Sequence, residues 1–294
     1  MKLSHKSKVR LSVGALSFVA LVAAIVALSI PPLNPFSSSS FKRFLNDHAV
    51  EFSDESPESR GFSSKFTKLS SASFDAASVQ SLDFDVSSGT VETKIIDGDK
   101  VTVTESAHIK KGFKPARAAN RDLATVENGV LKIAKFDYND DRAIVRVVTV
   151  GIPRELAGKL ARVDLNVLSG DVTINDVTCD ELSLKASSGD IEFDGGVNDT
   201  LDAEVGSGDV DIELNRAPAT SMNVHEGSGD IDISLPRNTG FTAQLTMGSG
   251  DFESDFLSSD VDGSDISNLT FDNGDKSAAY RIEIDSGDMT LGAH

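Results

Sequence analysis

"LDAEVGSGDVDIEL", residues 201–214, decides the fold. Apolar residues alternate through Leu201, Ala203 and Val205, a hinge of Gly206, Ser207, Gly208 and Asp209 follows, and alternation resumes at Val210, Ile212 and Leu214. Successive side chains on a strand face opposite sides, so the inward set passes from odd to even numbers across the hinge. Four residues between inward positions are what a corner between two strands requires. Gly208 is expected to supply a positive φ there. Asp209 is expected to accept a hydrogen bond from a nearby backbone N–H in an Asx-type turn, with Ser207 acting similarly but more weakly.

The hinge recurs. Ser-Gly-Asp falls at 169–171, 188–190, 207–209, 228–230, 249–251 and 286–288, at intervals of 19, 19, 21, 21 and 37 residues. Gly170, Gly189, Gly208, Gly229, Gly250 and Gly287 are thus the corner glycines. Correctly phased apolar residues flank each copy: Val163, Leu165 and Val167 before Val172 and Ile174, or Leu182, Leu184 and Ala186 before Ile191 and Phe193. Further on, Met222 and Val224 precede Ile231 and Ile233, and Tyr280, Ile282 and Ile284 precede Met289 and Leu291. A repeat near 20 residues is the signature of a solenoid, whose units bury their apolar face by stacking. Four-residue loops also close hairpins, but hairpin arrays rarely keep such even spacing. The expected fold is an all-β β-solenoid (β-helix) of about 20-residue coils. The gap of 37 holds either a degenerate coil or an insertion, in "DFLSSDVDGSDISNLTFDNGD" (255–275). "SSGT" (87–90) reads as an earlier degenerate corner, so residues 91–162 interrupt or widen the array. Strands are expected in 82–95, 100–109, 129–136 and 143–153, with a loop excursion over 110–128 and a short helical turn at 153–160.

The N-terminal end reads differently. Residues 1–10 carry four Lys/Arg and form a basic tail, whereas 11–30 carry no charge. Twenty helical residues rise about 30 Å, enough to cross a bilayer. Basic residues before the span put the N-terminus in the cytoplasm and the rest outside. A cleaved signal peptide is the alternative, although the run is long for one and "ALSIPP" is a poor cleavage site. Residues 31–69, rich in Ser, Pro and acids, read as a flexible stalk, and 70–294 as the solenoid domain.

The formal charge of −18 excludes a nucleic-acid partner, which needs a basic surface. It suits solubility, cations or a basic partner. Cys179 is the only cysteine and the five histidines are scattered, so neither an intrachain disulfide nor a zinc site is expected. Stacking should align Asp171, Asp190, Asp209, Asp230 and Asp251 in an outward column, with Thr173, Glu192, Asp211, Asp232 and Glu253 beside it. Like charges at strand spacing repel, so Ca²⁺ bridging these oxygens is one reading. A turn-capping Asp on a solvated acidic face is the other, and it is the one preferred, with no cofactor beyond weak Ca²⁺ binding. No catalytic set emerges. Between 163 and 214 Lys185 is the only cation, while Arg216 and Arg237 lie after second strands, where they could pair with acids. His225 falls on the outward phase, and "LPRNTG" (235–240) is internal and one residue too long for a sortase signal.

The run "VVTVGIPRELAGKLARVDLNVLSGDVTI" (147–174), followed by "LSLKASSGDIEF" and "LDAEVGSGDVDIEL", resembles a bacterial family of β-strand repeats named after adhesins. The resemblance covers roughly 70–294 and is most specific over 147–254. It implies a β-helix-like domain of unknown function on envelope proteins, often behind a membrane anchor, with no catalytic residues. The sequence departs from it in the acidic stalk and the wide gap between 251 and 286. The expectation is a non-enzymatic, single-pass protein of the bacterial cytoplasmic membrane, held by residues 11–30. It would present the solenoid for adhesion to, or binding of, an envelope protein or glycan. An accessory role in envelope-stress signalling is the alternative, and a glycan-active β-helix enzyme the least favoured.

Overall fold

The computed structural model describes residues 66–110, 122–133, 144–257, 261–262 and 268–294. The basic tail, the 11–30 span, the stalk up to residue 65 and residues 111–121 of the excursion lie outside them. Among the described residues no helix is long and apolar enough to cross a membrane.

The domain is all-β and solenoid-like: among the described residues nineteen strands join in one hydrogen-bonded sheet that bends into two parallel ladders around one apolar interior. The first ladder stacks β2 (Ser81–Val86), β8 (Leu160–Val167), the second halves of β9 (Asp171–Ala186) and β10 (Ile191–Val205), β12 (Ser221–Glu226), β18 (Ala278–Ile284) and β14 (Phe241–Met247). The second stacks β3 (Thr90–Ile96), the first halves of β9 and β10, β11 (Val210–Arg216), β13 (Asp230–Leu235), β19 (Asp288–Ala293) and β15 (Asp251–Ser254). Each Ser-Gly-Asp corner carries the chain from the first ladder into the second. Register converts sequence alternation into rows. Leu82, Val163, Leu182, Leu201, Met222, Tyr280 and Ala243 form one buried row. Val91, Val172, Ile191, Val210, Ile231, Met289 and Phe252 form another. All the inward residues expected from the repeats are buried.

Two expectations are corrected. The coils do not stack in chain order. β18 and β19, written last, insert between β12–β13 and β14–β15, so the corner order is 170, 189, 208, 229, 287, 250. Of the two readings of the 37-residue interval, the insertion holds and the degenerate coil does not. Its residues form β16 (Val261–Asp262) and β17 (Leu269–Asn273), antiparallel to β15 and β14. β17 occupies the outer edge of β14, so the last coil takes the slot on the inner side. Residues 236–240 are the link that skips that slot. Phe256 and Phe271 lie edge-on to Phe241, which stacks on Tyr280 at 4.7 Å, closing the apolar end.

The opposite end is closed by other means. β7 (Ile144–Pro153) adds in parallel to β3, and β4 (Lys100–Ile109) and β1 (Thr67–Asp75) follow antiparallel. β6 (Val130–Ile133) adds to β2 and carries β5 (Ala124–Glu127). The 87–90 corner is thus a true member of the array. Helix α1 (Arg154–Ala157) buries Leu156 and Ala157 against it. Antiparallel ends protect solenoid edges that would otherwise pair with other chains.

The second correction concerns glycine. Of the six corner glycines only Gly250 has a positive φ, +136°. The shared reason is proximity. A Cβ added at Gly208 would collide with the carbonyl oxygen of Gly189, one at Gly189 with that of Gly170, and so on along the column. The neighbouring atom is backbone and cannot swing away.

Gly208→Ala is therefore expected to destabilise the domain by about 2–3 kcal/mol through overpacking. Gly208→Asn, which a left-handed φ would tolerate, should be no better. Gly158→Ala, at φ −86° with nothing within 4 Å, should stay within about 0.5 kcal/mol. Urea unfolding of the three variants checks this.

Candidate functional site

The corner motif works between coils rather than within them. Ser169 Oγ donates to Ser87 O at 2.7 Å, Ser188 Oγ to Leu168 O at 3.0 Å, and Ser207 Oγ to Ser187 O at 3.1 Å. Ser228 and Ser286 repeat the pattern on Gly206 O and Gly227 O. Each aspartate reaches the opposite way. The Asp209 N–H donates to Asp190 Oδ1 at 3.2 Å and the Asp251 N–H to Asp288 Oδ1 at 2.9 Å. Asp171 accepts from the Asp190 N–H and Asp230 from the Asp288 N–H. In place of the expected Asx turn, the carboxylates of Asp171, Asp190, Asp230 and Asp288 each cap the next coil.

Asp171, Asp190, Asp209 and Asp230 share one edge, and Asp288 separates Asp230 from Asp251. Among the described residues no three His, Cys, Asp or Glu side chains form a group that could hold a metal ion. Burial, then the charge of Asp190, raises the Asp171 carboxyl to about 7. Burial also raises Asp190. Asp194 is pushed up to about 6 by burial, then by Glu213 and Asp176.

The two outer faces differ in charge. On the second ladder, Glu192, Asp211 and Asp232 stand in register, as do Asp194 and Glu213. With the corner aspartates they make an acidic lattice into which no Lys or Arg is interleaved over the coils 190–213. On the first ladder the acids are paired between coils. Arg162 meets Glu181 at 2.7 Å, Lys185 meets Glu204 at 2.6 Å, and Asn223 donates to Asp202 at 2.7 Å. Here a shallow groove of about 390 Å³ runs past Lys185, Glu204, His225, Arg281 and Glu283. His225 is exposed, with Nδ1 3.7 Å from Glu283. Arg216 donates to Asn198 Oδ1 at 2.8 Å and Arg237 to Ala293 O at 3.2 Å, so both bind neutral acceptors rather than the acids expected.

Two features were missed in the sequence. Glu105 and Arg146 form a buried ion pair, and Ser70 Oγ donates to Glu105 Oε2 at 2.5 Å, while buried His108 packs on Phe66. Glu226 occupies an inward row, between Val205 and Ile284. Its signal was available, since Met222, Val224 and Glu226 share one phase.

The family model described as Toastrack DUF4097 matches residues 141–292. No curated protein matches the chain significantly. Among solved structures, a candidate cell adhesion protein from Clostridium sporogenes is similar at 11% identity and a TM-score of 0.46, over 78% of this chain and 100% of that one. A candidate adhesin from Bacteroides fragilis has 11% identity and a TM-score of 0.35, over 78% and 98%. A candidate lipid-binding protein from Parabacteroides distasonis has 13% identity and a TM-score of 0.32, over 75% and 96%.

Carboxyls held above their ordinary range bind protons more tightly folded than unfolded. Their stabilisation is complete below about pH 4 and is lost as pH rises through about 6–7. The melting temperature at fixed ionic strength is expected to fall by at least about 3 °C from pH 5 to 8. Asp190→Ala should cost about 1–2 kcal/mol by orphaning the Asp209 N–H. Asp190→Asn keeps an acceptor without the charge and should match or exceed the parent at pH 8.

Proposed function

The chain belongs to the Toastrack DUF4097 family, and from that premise we propose that it is a non-enzymatic envelope protein that displays its β-solenoid for adhesion or partner binding. The acidic outer face of the second ladder is the contact surface, and residues 11–30 anchor the chain in the cytoplasmic membrane. The observation that carries this reading is the asymmetry of the faces. One outer face pairs its acids between coils, through the cations Arg162 and Lys185 and the amide of Asn223. The other leaves Glu192, Asp194, Asp211, Glu213 and Asp232 without interleaved cations. Like charges in register cost stability, and a basic partner would relieve that cost while the field steers its approach.

A passive display role also fits the chemistry at hand. The groove on the mixed face is lined by groups that already bond one another, as Lys185 does Glu204 and Arg281 does Glu283. An acid and a base held apart to act on a substrate would need a different arrangement.

Full-length protein should bind basic envelope proteins or cationic glycans, with affinity falling steeply between 50 and 500 mM salt. Neutralising Glu192, Asp211, Glu213 and Asp232 together should abolish the binding while raising the melting temperature. Neutralising Lys185 and Glu204 on the mixed face should leave binding intact. Equal losses from both faces would remove the proposed contact surface. Retention of the chain in membranes after alkaline carbonate extraction, lost when 11–30 is deleted, tests the anchor separately.

A further inference from the structure

Glu226 ends β12 at a position where the neighbouring coils place Val167, Ala186, Val205, Ile284 and Met247. Its residue exposure is 0%. Neither Oε1 nor Oε2 has a hydrogen-bond partner. The carboxyl lies at the corner of the last coil, in the space that a Cβ on Gly287 would need. The neighbours on β10 and β18 that flank it in register, Val205 and Ile284, are apolar. The charged groups acting on it are all acids: Asp230 at the start of β13, Asp288 at the start of β19 and Asp285 in the corner after β18. Among the described residues no cation comes within ion-pair distance. An ionised carboxylate in such a place is strongly disfavoured unless paired.

Its position in the topology gives this carboxyl a consequence. β18 and β19 are the strands inserted out of chain order, and among the described residues they are the strands that pair with both β12–β13 and β14–β15. Glu226 stands at the seam where that insertion begins.

We propose that Glu226 is a protonation-dependent latch: its buried carboxyl, packed on Gly287 with both oxygens unbonded, keeps the last coil seated between β12–β13 and β14–β15 only while it is neutral. Burial, then Asp230, Asp288 and Asp285, pushes the group up to about 8, so at neutral pH the latch is closed. Unfolded, the same carboxyl titrates near 4.3. Opening of the seam therefore becomes more favourable as pH rises from about 4 to about 8, approaching tenfold per unit, and levels off above that. Once opened, the seam leaves β12–β13 with an unpaired parallel edge and releases the terminal coil with its aromatic cap.

The test is amide hydrogen exchange on the full-length chain between pH 6 and 9, expressed as protection factors so that intrinsic exchange chemistry cancels. Protection in Ala278–Ile284 and Asp288–Ala293 should fall by about 10–100-fold from pH 6 to 8 and then level, while β8 and the second half of β9 lose much less. Glu226→Gln should flatten that dependence in the last coil, and Asp171→Asn should leave it in place. Persistence of the parent slope in Glu226→Gln, or a loss shared equally by β8, overturns the latch. Glu226→Val, which restores the row occupied by Val205, gives the same comparison where the amide variant does not fold. Carbon NMR of the parent carboxyl is a direct readout: a midpoint near 8 supports the latch, and one in the ordinary carboxylate range removes it.

Discussion

Backbone contact at the coil corners is the constraint on which the rest of the structure depends. Parallel strands hold successive coils about 4.8 Å apart, and at the corners the main chains meet with no room for a side chain. A Cβ at Gly229 would strike the Gly208 carbonyl, and one at Gly250 the Gly287 carbonyl. Glycine is therefore demanded by the neighbouring coil at every one of these corners, and at Gly250 by the backbone conformation as well. Serine and aspartate serve the same joint from opposite sides: the hydroxyl donates to a carbonyl of one neighbour and the carboxylate accepts an N–H from the other. A corner built this way satisfies polar groups that a bend would leave without ladder partners.

Stacking in register acts alike on every row, with opposite results inside and out. Inside, it lays Leu182 on Leu201 and Ile212 on Ile233, and burial is shared along the row. Outside, it lays Glu192 on Asp211 and Asp211 on Asp232, and the repulsion is shared too. The first ladder interrupts its acid rows with Lys185 and Asn223. Since the same backbone carries both solutions, the acidic face is a choice of side chains and not a by-product of the fold. At Asp171 and Asp194 burial first, and then the neighbouring acids, raises the carboxyls.

Most of the interior was readable because period-2 alternation is a local property. Leu201, Ala203 and Val205 before the hinge and Val210, Ile212 and Leu214 after it need only the geometry of a strand. Coil order is not local. The interval of 37 records how much chain lies between two corners and says nothing about which slot the second one fills. Contact between Gly208 and the Gly189 carbonyl is equally invisible along the sequence, so glycine invites an explanation by φ, which among the six Ser-Gly-Asp corners the backbone supports only at Gly250. Glu226 was different. Its phase was plain, but a glutamate beside Gly227 reads as a turn residue until the register with Val205 and Ile284 puts it in the interior.

The threading also fixes what each end of the chain contributes. β14 bonds to β18 and β17 and to neither β12 nor β10. Among the described residues, the strand pairings that join the coil of β14 and β15 to the body of the solenoid all run through residues 278–293. The segment written last therefore completes the array from within, closing contacts of long sequence separation that form slowly in folding. A defect in that coil costs two interfaces, one toward β12–β13 and one toward β14–β15, whereas a defect in an end coil costs one. Placing an unpaired buried carboxyl at this joint concentrates the sensitivity of the whole C-terminal end in one side chain.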